Sequence, residues 1–233
     1  MIDRSLNYGR HHIAKFIQQA KPLKRIVDLG AGHGDDLVTA SVLCPEAELV
    51  AVETWPPYVE ELSSNGILVY QLNIERDKLP FLSEAVDAVI ANQLLEHTKE
   101  LFWIFHEVTR ILSIGGKFII GIPNLASLHN RILLMAGRQP SPIKSTSAHV
   151  RGFTKHDLCK FINDCFPAGY QLIGFGGSNF YPFPPYLAKP LANIFPSLAW
   201  GIFFMFEKQR QYSREFLDYP VHNKLETNFF LGE

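Results

Sequence analysis

A nine-residue run, Val27-Asp28-Leu29-Gly30-Ala31-Gly32-His33-Gly34-Asp35, constrains this chain more than any other feature. The apolar, β-prone lead Arg25-Ile26-Val27 enters it, glycines fall at alternate positions, and a helix-compatible polar segment follows from Asp35. Strand, tight glycine turn and helix start in that order is how an open α/β sheet builds a ligand site at a strand end. Glycine is needed where the turn takes unusual backbone angles and a ligand must approach the chain closely.

Spacing then separates two ligand classes. A dinucleotide fingerprint wants glycine at the first, third and sixth positions of the turn. Counted from Gly30, the sixth position is Asp35 and the fifth is Gly34, so the run reads GxGxG. Further signals follow in order. The strand Ala47-Glu48-Leu49-Val50-Ala51-Val52 ends in the acid Glu53, followed by Thr54 and Trp55. Next come Gln71-Leu72-Asn73-Ile74-Glu75 and Leu79-Pro80-Phe81. A buried-strand pattern over 86–91 leads into Asn92-Gln93-Leu94-Leu95-Glu96-His97. Finally, the turn Leu112-Ser113-Ile114-Gly115-Gly116-Lys117 leads to a strand ending in Pro123-Asn124.

Taken together, these segments resemble the ordered motifs of class I S-adenosylmethionine-dependent methyltransferases. Leu94-Leu95-Glu96-His97 is similar to the "VLEH" segment of ubiquinone/menaquinone-type and related small-molecule enzymes, and 112–117 is similar to their "LKPGG" turn. The resemblance covers 25–165 well and the remainder loosely. It implies an S-adenosyl-L-methionine site built from Asp28, Gly30, Ala31, Gly32, Glu53, Thr54, Trp55, Asn73, Ile74, Asn92 and Gln93. Asp28 suits the cofactor's ammonium, directly or through water, and Glu53 suits both ribose hydroxyls. Trp55 either covers one adenine face or anchors its loop. Asn73 stands where the family usually carries an acid; its side-chain oxygen can still accept from the adenine amino group, and the Ile74 N–H can donate to the ring.

With 233 residues the chain is long enough for one sizeable core. A formal net charge of −1 gives no broad attraction to nucleic acid or anionic lipid. Three cysteines without metal spacing suit free thiols in a reducing cytoplasm. The first twenty residues lack the apolar core of a signal peptide, and no run approaches the roughly 18 apolar residues of a membrane span.

Alternating strand and helix patterns predict a Rossmann-like, doubly wound α/β sheet with helices on both faces. Strands are expected near 25–29, 48–52, 67–72, 86–91, 117–122, 169–177 and 200–208, and helices near 34–43, 57–64 and 99–112. From the resemblance the sheet has seven mostly parallel strands, the last one antiparallel. A first helix over 3–20 would form a lid on a methyltransferase domain spanning 1–208. Thr154 is expected to cap a helix running to about Asp164. Insertions cover 124–150 and 178–199, and 209–233 forms a C-terminal tail that wraps the domain or is poorly ordered.

Methyl transfer to a hydroxyl needs alignment and a base. His97, following the fourth strand, is the first candidate base; a purely structural role for it stays open. His149 and Arg151 are the next candidates, in a segment resembling "HVRxFT" of bacterial surface-glycan and lipid-quinone methyltransferases. Arg151 would hold a substrate carboxylate or phosphate, or pair with an acid of the chain. Tyr8, His11 and His12 form a weaker third group. No required metal is expected, because Asn92 and Gln93 replace the extra acid of metal-binding relatives and Glu96 is the one obvious carboxylate.

The acceptor is a small molecule, a glycan or a lipid-linked molecule, methylated on a hydroxyl oxygen. Absence of an Asn/Asp-Pro-Pro-aromatic run after the fourth strand disfavours nucleobase amines. The apolar stretch 180–200 is either a local core, an oligomer face, a substrate wall or a surface for peripheral lipid contact. Three alternatives remain: a non-catalytic adenosylmethionine or adenosylhomocysteine binder, an N- or C-methyltransferase, and a nicotinamide-dependent enzyme.

Overall fold

The computed structural model describes residues 4–225 and 228–232. Residue 3 of the expected first helix, and 226, 227 and 233 of the expected tail, lie outside the described residues, as do residues 1 and 2. Seven strands form one sheet: β1 (Arg25–Leu29), β2 (Glu48–Glu53), β3 (Leu68–Gln71), β4 (Val86–Asn92), β5 (Leu112–Pro123), β6 (Tyr170–Ser178) and β7 (Gly201–Lys208). Their order is β3-β2-β1-β4-β5-β7-β6. Pairing is parallel from β3 through β5, and β7 runs antiparallel to both of its neighbours. This is the expected architecture. The strand order reverses between β1 and β4, so the sheet splays open there at its carboxyl edge, where α/β proteins bind ligands.

Strand alternation sorts the core into two layers. Ile26, Ala88, Ile90, Ile119, Phe203 and Met205 face α1 (Arg10–Ala20) and α2 (Asp35–Leu43). Their neighbours Val27, Val89, Ala91, Phe118, Ile120, Ile202 and Phe204 face the opposite side. There they meet α4 (Leu101–Ile111) and α6 (Lys155–Cys165). The Thr154 hydroxyl accepts from the Asp157 N–H, capping α6 as expected. α3 (Pro56–Ser64) packs Leu62 on Leu37 and Ala51.

Three elements depart from the sequence reading. The helix expected over 3–20 is broken into a 3₁₀ segment, Arg4–Tyr8, and α1. The break is Gly9, at φ +52°, where a Cβ would lie 2.0 Å from the Phe203 ring. Only glycine permits both the left-handed backbone and that approach. β5 begins at Leu112, five residues before the expected 117, because Leu112 pairs with Val86 ahead of an irregularity in the ladder. Within the expected tail, α8 (Glu215–His222) buries Phe216 and Leu217, and Phe216 joins the α4–α6 core.

The insertions fold as well. α5 (Leu128–Met135) and α7 (Pro185–Ile194) share a small core of Phe180, Ala188, Ala192 and Ala199, with Leu128 and Leu191 against it. The local-core reading of 180–200 therefore holds for these side chains. Among the described residues no helix is long and apolar enough to cross a membrane.

Candidate active site

The glycine turn leaves β1 at the strand-order reversal. Gly30, Gly32 and Gly34 all take positive φ. At Gly32 (φ +54°) a Cβ would meet nothing within 4 Å, so its Cα faces open space. Glu53, at the end of β2, reaches across and accepts from the Gly32 N–H at 2.9 Å. Its other oxygen accepts from the Thr54 and Trp55 N–H groups. The carboxylate is thus fixed by three backbone donors while retaining lone pairs for a ligand. The Thr54 hydroxyl donates to the Leu72 carbonyl, tying this corner to the loop after β3.

Three acids crowd this turn. Asp28 is buried, and its pKa is raised well above the usual carboxylate range, first by desolvation and then by Asp36 and Glu53. Burial also raises Asp36, partly opposed by the Asn92 amide and Arg10. The Asn92 side-chain N–H donates to Asp36 and to the Tyr8 carbonyl. Asp36 Oδ1 and Asn92 Oδ1 are buried without a hydrogen-bond donor. Such a cluster disfavours a pyrophosphate and favours a ligand that brings positive charge and N–H donors. An ammonium and a sulfonium meet that demand, so the residues present fit S-adenosylmethionine. Asp36 did not figure among the sequence candidates; its signal was an acid in the first turn of the helix that follows the glycines.

The remaining cofactor candidates are placed less tightly. Asn73 uses its side-chain oxygen to accept from the Glu75 N–H, an internal turn bond that occupies the group expected to meet adenine. Ile74 is half-buried against the main core. Trp55 is exposed and edge-on to Tyr58. Ala31 lies in the turn itself, its carbonyl accepting from Gly34. Gln93 has positive φ, donates its N–H to the Gly121 carbonyl and leaves its side-chain N–H₂ buried without a partner.

A second constellation stands at the carboxyl edge of β4, one strand from the turn. Glu96 and His97 lie in the 3₁₀ segment Leu95–His97. The Glu96 carbonyl accepts from the Val150 and Arg151 N–H groups, which brings the distant 149–151 segment alongside. The His97 and His149 rings meet edge to face at 4.6 Å between centroids. Glu96 is 1% exposed, and neither carboxylate oxygen has a hydrogen-bond partner. Desolvation pushes its pKa up to about 8. Burial and the neighbouring His149 lower that of His97. Arg151 donates to the Thr98 and Lys99 carbonyls, so its guanidinium braces the loop after Glu96–His97. His12 stands apart: it contacts the Gly177 carbonyl and stacks on Phe203, and burial lowers its pKa to about 4. His11 lines another cavity with Leu6 and Lys189, and Tyr8 is exposed.

Beside these groups lies a cavity of about 710 Å³, with Asn7, His129, Arg138, Lys144, Tyr181 and Trp200 in its wall. Asn7 precedes the Tyr8 whose carbonyl receives Asn92, so the cavity adjoins the cofactor turn. Ser141 also lines it, next to the Pro142 carbonyl that contacts His149 Nδ1. The insertions that frame it contain no Asp or Glu from Asn124 through His156 or from Cys165 through Phe206. Arg131, Arg138, Lys144, Arg151, Lys155 and Lys189 fall in those stretches.

A family model described as "Methyltransferase domain" matches residues 27–120. A malonyl-[acyl-carrier protein] O-methyltransferase of Legionella pneumophila is 27% identical over 96 residues, 40% of this chain and 34% of that protein. The chain thus spans about a third of the length of the curated relatives it matches. Among solved structures, a Thermotoga maritima protein described as a SAM-dependent methyltransferase, possible histamine N-methyltransferase, superposes with TM-score 0.60 at 18% identity. That likeness covers 88% of this chain and 91% of that one. The Burkholderia thailandensis 1,6-didemethyltoxoflavin-N1-methyltransferase, solved with bound 1,6-didemethyltoxoflavin and S-adenosylhomocysteine, gives TM-score 0.59 at 12% identity, covering 89% and 80%. The motif order, the sheet and the acid-lined glycine turn agree with these likenesses: residues 27–120 match a methyltransferase domain, and the chain has the fold of these solved methyltransferases.

Proposed function

We propose that the protein methylates a hydroxyl oxygen of an anionic, ring-bearing small molecule or glycan. The observation that carries this reading is the adjacency of three parts: the glycine turn with its acids, the Glu96–His97–His149 cluster, and the cationic, aromatic-walled cavity. When bound, S-adenosylmethionine supplies a methyl group on a sulfonium, already a good leaving group. Asp28 and Asp36 would hold its ammonium end, and Glu53 its ribose hydroxyls. Arg138 and Lys144 supply charge for a carboxylate or phosphate on the acceptor, while Tyr181 and Trp200 supply flat faces for a ring. The His97–His149 pair stands ready to take the hydroxyl proton, which favours oxygen over an already nucleophilic amine.

A lipid-linked form of such an acceptor is a second reading. Ile132, Leu134 and Met135 on α5 and Tyr186 and Ile194 on α7 are exposed, and an apolar anchor would find contact there. The same reading includes a cytoplasmic location, supported by three free cysteines. The test is adenosylhomocysteine release across a panel of hydroxylated metabolites, sugar nucleotides and lipid phosphates. Turnover confined to anionic hydroxylated members is expected. Tight adenosylhomocysteine binding with no acceptor turned over would instead favour a non-catalytic binder.

A further inference from the structure

We propose that Glu96, His97 and His149 form a binding site for one divalent first-row cation of the zinc class. Each residue offers one ligand atom, and those atoms all lie within 4.8 Å of one another. Two imidazoles and one carboxylate are a donor set for zinc, cobalt or iron(II) rather than magnesium or calcium, which favour oxygen.

The hydrogen bonding leaves the cluster without positive partners. His149 Nδ1 lies 2.8 Å from the Pro142 carbonyl, which requires Nδ1 to carry the proton and leaves Nε2 as a lone pair. The His97 ring lies edge to face on that of His149, 4.6 Å between centroids, so its nitrogens border the same space. A second ring nitrogen bonded to a backbone carbonyl is the habitual outer contact of a metal-ligating histidine, because it fixes the tautomer. Into the same small space goes Glu96, buried, with neither oxygen satisfied. Buried carboxylates are normally paired or hydrogen-bonded, and a lone one needs an explanation. Three electron-pair donors converging with no opposing donor are reconciled by a cation. Because His97 reaches solvent while Glu96 is buried, such a cation would keep an open coordination position.

The expectation of no metal rested on Asn92 and Gln93 standing in place of an extra acid, which left a lone Glu96–His97 pair. The chain fold adds His149 from beyond the insertion, and the Pro142 carbonyl contact that orients its ring. The binding claim is independent of methyl transfer. Only its consequence rests on the function proposed above: with both imidazoles ligating, the cation would acidify the acceptor hydroxyl in place of a free histidine base.

The test uses the full chain after chelator treatment, titrated with cobalt(II) and watched by its visible d–d absorption, then competed with zinc. One equivalent is expected to bind with the intense bands of a low-coordinate nitrogen–oxygen site, and zinc should displace it. Glu96→Gln and His149→Ala should each weaken binding at least about 100-fold, the upper end of what losing even an outer-shell partner costs. His222→Ala, on α8, should leave it unchanged. Far-UV circular dichroism checks folding; if Glu96→Gln does not fold, the half-buried His149 decides. No saturable cobalt or zinc uptake, or unchanged affinity in the folded variants, overturns the proposal. Adenosylhomocysteine binding by the unmodified protein is measured alongside, so failure of the metal site and failure of the methyltransferase reading give different results.

Discussion

The two sides of the carboxyl edge have opposite electrical character. On the β1–β2 side, Asp28, Asp36 and Glu53 crowd one glycine turn, and burial first, then Asp36 and Glu53, raise the pKa of Asp28. On the β5–β7 side, the insertions from Asn124 through His156 and within Cys165–Phe206 hold no acid, and Arg138 and Lys144 line the cavity. A net charge of −1 hides this division. The contrast suits a cationic donor on one side and an anionic acceptor on the other, with Glu96, His97 and His149 between them. α1 bridges the two: Arg10 pairs with Asp35 on the acidic side, and His12 meets the Gly177 carbonyl on the other.

The strongest way to break the contrast is at Gly32. Gly32→Arg puts a bulky cation into the open space over the turn at positive φ, so calorimetry should detect no adenosylhomocysteine binding. Retained binding would place the cofactor elsewhere. On the basic side, Arg138→Ala or Lys144→Ala should each raise acceptor KM on the order of 10-fold, the worth of one charge-assisted bond, with cofactor affinity unchanged. A matched fall in cofactor affinity would erase the distinction between the sides.

The bridge is testable by pH. His12 is buried and its folded pKa is lowered to about 4 from an ordinary value of 6.5. The unfolded chain therefore binds this proton more readily than the native one. His12 disfavours unfolding fully above pH 6.5 and progressively less as pH falls toward 4. Urea titrations should show about 2 kcal/mol less stability at pH 5 than at pH 7 from this group alone. His12→Gln, which keeps a donor for Gly177, should flatten that slope. The smallest effect belongs to Asp28→Asn. Removing a carboxylate raised by burial and like charge should stabilise the free protein on the order of 1 kcal/mol while weakening the cofactor. Opposite signs in stability and affinity are the signature of an acid retained for a cationic ligand.

What was legible in the sequence was local. β1 and β4 announce themselves because both faces are buried and their central residues, Ile26-Val27 and Ala88-Val89-Ile90-Ala91, are apolar. Glu53 and the glycines are legible because turn geometry restricts residue type. Asp36 was passed over because an acid in a first helical turn is also ordinary capping chemistry. Gly9 gave no warning of a helix break, since its need for positive φ comes from Phe203, far away in sequence. The same holds for His149: its place beside His97 depends on the Val150 and Arg151 N–H groups finding the Glu96 carbonyl. The acid-free insertions were visible all along, but as an absence, which gains meaning only when both segments frame one cavity. Arg151 shows the reverse: a charged residue in a suggestive motif whose hydrogen bonds go to the backbone carbonyls of Thr98 and Lys99.

The most direct test is a crystal structure of the chain grown with adenosylhomocysteine. The amino-acid end should rest against Asp28 and Asp36, the ribose hydroxyls on Glu53, and the sulfur should point toward His97 and the cationic cavity. Density for the ligand anywhere else, or a glycine turn left bare at saturating concentration, would contradict the division of this edge into a cofactor side and an acceptor side.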